Sequence, residues 1–277
     1  MKTEPLASTI PDMDPATPDL WTIISISIVS YASATILHEG AGHGGACLLT
    51  GGKPIAFSTV DFECDREGRI VAAGGTVMNL AAGLLCWFIL RFVTRRTHLR
   101  YFLWLLMTIN LFQASGYFFF SGVANIGDWA VVIRGLEPPW LWRMGLTILG
   151  LSLYMLFVWI ALRELQPFLG HNGPTKLQRA KKLTLVPYFT GGILSCTAAL
   201  FNPVGMFLVA ISAAASSFGG TSGLAWMWRI AKHVRVPNGA VEPPPLSRSR
   251  GWMIGAAVVG ALFVVVFGPG LKFGSKT

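Results

Sequence analysis

Leu20-Trp-Thr-Ile-Ile-Ser-Ile-Ser-Ile-Val-Ser-Tyr-Ala-Ser-Ala-Thr-Ile-Leu37 carries no charge and runs straight into His38-Glu39-Gly40-Ala41-Gly42-His43. An apolar stretch of ~18–20 residues is what a helix needs to cross the hydrocarbon core of a bilayer. Outward from this stretch the pattern repeats. Ile70–Leu90, Tyr101–Gly127, Met144–Leu162, Leu183–Trp228 and Gly251–Leu271 are also free of charge, and Leu183–Trp228 is long enough for two crossings. Charged residues make up 13% of the 277 positions, against ~25% in an ordinary soluble domain. The composition excludes a soluble globular enzyme, a secreted disulfide scaffold and a disordered chain. The expected fold is an all-α polytopic membrane protein with six to seven transmembrane helices.

The net charge of +9 finds its use in that architecture. With the N-terminus inside, 15 of the 22 Lys and Arg residues fall in inner loops and 7 in outer ones. Such a bias orients a multi-pass protein and needs no polyanionic partner, so nucleic acid is not expected as one. The expected location is the cell (plasma) membrane. Residues 1–19, acidic and proline-containing, read as a flexible N-terminal tail and not as a cleavable signal. Residues 20–135 form the candidate membrane core, and residues 136–277 supply additional transmembrane helices of unknown role. Asn202-Pro203 is expected to divide the longest apolar run, and Arg163–Lys182 reads as a basic loop turning at His171-Asn172. Tryptophans 21, 104, 140, 142, 226, 228 and 252 lie near expected helix ends, where an aromatic belt anchors a membrane protein. Between Gly52 and Ile70, the segment Pro54-Ile-Ala-Phe-Ser-Thr-Val-Asp-Phe-Glu63 has strand character and suggests a short hairpin at the membrane surface. Cys47 and Cys64 flank this loop, where pairing is one reading; Cys86 and Cys196 read as small buried hydrophobes.

Ionisable residues in a membrane helix are costly and mark function. His38, Glu39 and His43 are three within six positions, and two imidazoles with a carboxylate suit a divalent metal whose water the carboxylate activates. The spacing is H-E-x-x-x-H. On a straight α-helix residues four apart diverge by ~40° and residues five apart by ~140°. One extra residue in the turn, a π-bulge, would realign the histidines, and the surrounding glycines make the helix easy to deform. Alternatively Glu39 and His43, four apart, bind the metal and His38 stands behind them.

Leu37-His-Glu-Gly-Ala-Gly-His-Gly-Gly-Ala-Cys-Leu-Leu-Thr-Gly-Gly52 resembles the active-site helix of the site-2 protease family of intramembrane zinc metalloproteases, whose motif is H-E-x-x-H. Gly75-Thr76-Val77-Met78-Asn79 is similar to that family's G-P-x-x-N, with Thr76 in the proline position. Asn125-Ile126-Gly127-Asp128 sits where the family supplies its third ligand. The resemblance covers roughly residues 20 to 135. It implies Zn2+ held by His38, His43 and Asp128, Glu39 as the catalytic base, and Asn79 as a substrate-binding residue. It also implies a transmembrane protein substrate cleaved within the lipid bilayer. From the residues alone, the alternative for Asp128 is a cap of the following helix, a reading that its place at the end of a long uncharged run weighs against, and Asn79 could equally make a polar contact between helices. The leading expectation is an intramembrane zinc endopeptidase; the alternative is a non-catalytic metal-binding or scaffold relative. A transporter would need further intramembrane charges or paired broken helices, which the later apolar runs do not offer.

The charge count puts the loop after His43 outside, whereas the resemblance implies the cytosolic side. Reporter fusions decide between them: the count expects Arg95 and Lys181 in the cytosol and Asp61 outside, and an external Arg95 overturns it.

Overall fold

A computed structural model describes residues 17–94, 98–170, 173–203, 205, 209–231, 233 and 244–274. Most of the tail expected through Asp19, and the turn at His171-Asn172, lie outside these residues.

Helix α1 (Leu20–Ile36) begins at Asp19, whose carboxylate accepts from the Thr22 backbone N–H at 2.9 Å and its hydroxyl at 2.8 Å. Such a cap satisfies donors that a helix start leaves orphaned. The helix continues without a break through a π-helical segment (Leu37–Gly44) and α2 (Gly45–Leu49). Gly51, with φ of 75°, ends it. Strands β1 (Pro54–Phe57) and β2 (Phe62–Cys64) follow as an antiparallel hairpin. Helices α3 (Arg69–Leu90), α4 (His98–Ala124), α5 (Asp128–Ile133), α6 (Pro139–Leu165) and α7 (Gly173–Leu200) come next. A second π-helical segment (Val209–Gly220) leads through a turn into α8 (Gly223–Ala231). The described chain closes with α9 (Arg250–Ala261), a π-helical segment (Leu262–Phe267) and β3 (Leu271–Lys272). Among the described residues six helices are long and apolar enough to cross a membrane, compatible with an all-α polytopic membrane protein.

The structure refines the expectations in four places. The hairpin gains a third strand, because β3 pairs antiparallel with β1 through Ala56–Lys272 and Phe57–Leu271; a two-residue strand has no periodicity to read. Arg163–Lys182 is not wholly a loop, since α7 begins at Gly173. The longest apolar run does divide after Leu200, but its second half is a broken helix and not a continuous one. Ser212 Oγ donates to the Val60 carbonyl at 2.8 Å beside the hairpin, while the Lys181 ammonium lies 4.7 Å from the Trp228 ring at the other end. The broken helix therefore runs from one face of the bundle to the other. Finally, Trp104 is no surface anchor. It is fully enclosed and donates its indole N–H to the Ala161 carbonyl at 2.9 Å, whereas Trp21, Trp140 and Trp142 are exposed.

Helix α4 forms the axis of the bundle, with Trp104, Met107, Ile109 and Phe112 enclosed on all sides. Helix α6 crosses it closely at Gly150, where a Cβ would lie 2.4 Å from the Phe119 backbone nitrogen. Small residues at such crossings let membrane helices gain packing contacts, which replace the hydrophobic drive that lipid removes. Cys47 and Cys64 are joined in a disulfide that staples β2 to α2; Cys86 is buried, as expected of a small hydrophobe, whereas Cys196 is only half-buried.

Replacing Trp104 with Ala removes both the hydrogen bond and the packing around an enclosed indole. The expected cost is about 3–5 kcal/mol, read as a lowered midpoint of thermal unfolding in detergent.

Candidate metal centre

The site begins with the winding of Leu37–Gly44. This stretch is π-helical, so its hydrogen bonds close at i→i+5 and residues five apart come onto one side. His38 and His43 accordingly face each other, with Nε2 atoms 3.2 Å apart and rings inclined at 83°. Of the two sequence alternatives, the widened turn is the one present. The glycines within it do more than permit the winding. A Cβ at Gly42 would lie 2.6 Å from the Gly75 Cα, and one at Gly74 would lie 2.4 Å from the Gly42 carbonyl oxygen. Helix α3 and the π-turn thus meet backbone to backbone.

That contact carries Gly75 directly against the imidazoles. A Cβ there would stand 2.5 Å from His43 Nε2 and 2.6 Å from His38 Nε2. Gly75 therefore reserves the space into which both rings point. The His43 ring is fixed from behind by a 2.7 Å hydrogen bond from Nδ1 to the Val71 carbonyl. This commits Nδ1 as donor and leaves the Nε2 lone pair facing inward, the usual support of a metal-binding histidine. The His38 ring stacks on Tyr117, with centroids 4.7 Å apart and planes at 16°.

Asp128 arrives from the other direction. Helix α4 ends at Ala124, and Asn125 (φ 56°) and Gly127 (φ 88°) turn the chain back through left-handed backbone. Gly127 takes the N-cap position of α5, so Asp128 is not the capping residue. Its Oδ2 lies 3.3 Å from His38 Nε2 and 3.6 Å from His43 Nε2. Burial works against ionisation of this carboxyl, but the two imidazoles outweigh it and hold it well below the usual carboxylate range.

The three atoms make a triangle with edges of 3.2, 3.3 and 3.6 Å. Ligand atoms at ~2.0–2.1 Å from a tetrahedral zinc stand about 3.3 Å apart, so the donor set fits such an ion. His38, His43 and Asp128 could hold a metal ion together. Glu39 is not part of the triangle. It is buried, 6% exposed, and lines a cavity of about 870 Å³ alongside His43 and Asp128. Cys47, Cys64 and Asp65 also lie close together, but both thiols are consumed by the disulfide.

Asn79 does not line the cavity. It lies on α3 one turn beyond Gly75, fully enclosed, with neither amide atom hydrogen-bonded among the described residues. Three residues that the sequence reading passed over do border the site: Tyr117, Gln113 and Asp61. Burial, and then the neighbouring charge of Glu63, push the Asp61 carboxyl above its ordinary range. A signal for the first two was present. Gln113, Tyr117 and Ser121 recur every four residues along an uncharged run, which is one polar stripe on a helix ending near Asp128. The helices after residue 135, without a role from sequence, supply cavity wall through Leu151, Tyr154 and Trp226.

Among the described residues, fold and site define a helical bundle with six membrane-length helices and a His–His–carboxylate group, its imidazoles buried, that could hold a metal ion. No family model, curated protein or solved structure matches the chain.

Gly75→Ala tests the reserved space. The added methyl cannot coexist with both Nε2 atoms, so the purified variant should lose metal affinity by about tenfold or more, the range seen when a ligand's supporting shell is disturbed. Elemental analysis against wild type reads it, and full retention of metal would show that the rings do not converge there.

Proposed function

We propose that this chain is a zinc-dependent intramembrane endopeptidase of site-2 protease type, acting on membrane-embedded helices of other proteins. One observation carries the reading: a π-turn brings His38 and His43 to one side and Asp128 completes a ligand triangle, while the neighbouring Glu39 carboxylate stays outside the triangle and on the cavity wall. Three ligands with a free position and an adjacent carboxylate form the arrangement of a catalytic zinc site, since a purely structural site closes all four positions. Zinc bound there would supply Lewis-acid activation of water and of the scissile carbonyl.

The residues of the chain supply the rest. Glu39 takes a proton from the attacking water onto its carboxylate and passes it to the amine that leaves, as a general base and then a general acid. Val71, through its carbonyl, holds the His43 ring in the tautomer that keeps Nε2 as a ligand. Tyr117 packs flat on His38 and fixes that ring from its other side. The cavity gives a substrate segment room to lie against Glu39 in extended form. A transmembrane helix has its peptide groups bonded internally, so it must unwind locally before any of them can be attacked.

The proposed setting is a cell membrane with the site near its outer face. The Cys47–Cys64 disulfide beside the metal centre favours an oxidising compartment, and the distribution of Lys and Arg gives the same side. That orientation is opposite to the one the family resemblance implies.

Metal content tests the roles without a known substrate. As a base, Glu39 can be changed to Gln with the ligands untouched, so Glu39→Gln should retain zinc and lose any peptidase activity by ~10²–10⁴-fold. His38→Ala should lose the metal. Retention of metal by His38→Ala together with its loss from Glu39→Gln would make Glu39 a ligand and leave a non-catalytic metal protein.

A further inference from the structure

The cavity extends beyond the metal centre along α4 to Gln113, which lies four residues before Tyr117 and so about 6 Å further along the helix axis. Gln113 is 6% exposed, and among the described residues its side-chain amide has no hydrogen-bond partner. Neither of its amide atoms is fully enclosed, so the amide faces the cavity. The hydroxyls around it are already committed: Ser212 donates to the Val60 carbonyl, Ser216 to the Ser212 carbonyl and Tyr154 to the Gly220 carbonyl. Gln113 thus offers this arm of the cavity a free N–H donor together with a free carbonyl acceptor.

The wall beside it is bare backbone. Gln113 packs beside Gly220, whose Cβ would lie 3.6 Å from the Gln113 Cγ, and a Cβ on the adjoining Gly219 would meet nothing within 4 Å. Both glycines sit where the broken helix between Val209 and Ala231 is interrupted. An occupant of this arm needs one acceptor and one donor close together and must be slim enough to pass a glycine wall. A peptide group in an extended chain meets both conditions, with its C=O and N–H available because the chain is not helical. At ~3.3 Å per extended residue, 6 Å and the reach from Tyr117 to the ligands correspond to about two to three residues from the scissile bond.

We propose that Gln113 is a positioning residue that clamps a backbone peptide group of the unwound substrate, two to three residues from the cleavage point, against the wall at Gly219. This rests on the endopeptidase reading. The clamp gives substrate unwinding a counterpart in the protein: a peptide group that loses its helical partner finds a new one at Gln113.

Binding, not cleavage, is the test. The probe is a fluorescent 22-residue Leu/Ala peptide with a central Asn-Pro break, titrated into zinc-loaded Glu39→Gln protein in detergent. In that background Gln113→Leu should weaken binding roughly tenfold, and Gly219→Leu should weaken it by filling the arm. Both variants are assayed with full zinc content and an unchanged unfolding midpoint, which separates loss of the clamp from loss of the fold. A scan of single amide-to-ester changes along the peptide then identifies the clamped group. One ester two or three residues from the break should weaken binding to the parent and have no further effect in Gln113→Leu. Binding that Gln113→Leu leaves unchanged, or an ester scan that is flat in the parent, overturns the clamp while leaving the endopeptidase reading intact. Failure of the Glu39→Gln parent to bind the peptide saturably counts against that reading and removes the clamp with it.

Discussion

Two imidazoles and a carboxylate converge here because position 75 carries no side chain. Everything nearby is arranged around that gap. Gly74 and Gly42 bring the backbone of α3 against the π-turn at distances that no Cβ would allow. The contact in turn sets Val71 at hydrogen-bonding distance behind His43. If the two backbones were held apart by a single methyl layer, His43 would lose its support and the rings would lose the space they share. The metal geometry is thus a property of a helix crossing as much as of its ligands.

The π-turn answers a conflict between covalent spacing and coordination geometry. Histidines five apart cannot share an ion on a regular α-helix, and one inserted residue normally costs hydrogen-bond geometry. Here the insertion falls in a glycine-rich stretch whose backbone is the least resistant to deformation. Its widened face is covered by α3 and by Tyr117. Packing from outside and flexibility from within hold the same eight residues in a form that neither would maintain alone.

Around this centre the chain alternates closure and opening. The hairpin, stapled by its disulfide and extended by β3, closes one side. The broken helix between Val209 and Ala231 leaves the other side lined by glycine and hydroxyl groups. Irregular backbone at membrane depth is tolerated where it lines a cavity or is buried in protein. Tyr154 meets that requirement, its hydroxyl donating to the Gly220 carbonyl and accepting from the Gly223 N–H across the break.

Much of this was legible from the chain alone. Uncharged runs of membrane length are a local property, so the long helices from α1 to α7 and the α9 span were readable one at a time, and so was the pairing of His38 and His43 with a need for one extra residue in the turn. Asp128 was readable as a candidate because it ends an uncharged run, but its turn toward the histidines depends on left-handed backbone at Asn125 and Gly127. The rest belongs to the tertiary structure. Trp104 is core and not anchor because α6 packs over it, Asn79 is fully enclosed although Gly75 on the same helix borders the imidazoles, and β3 joins β1 across more than 200 residues of intervening chain. Composition and spacing report what a segment can do within a few turns of itself. Which side chains share one point in space is set by how closely two backbones approach, and that distance is written in no single stretch of sequence.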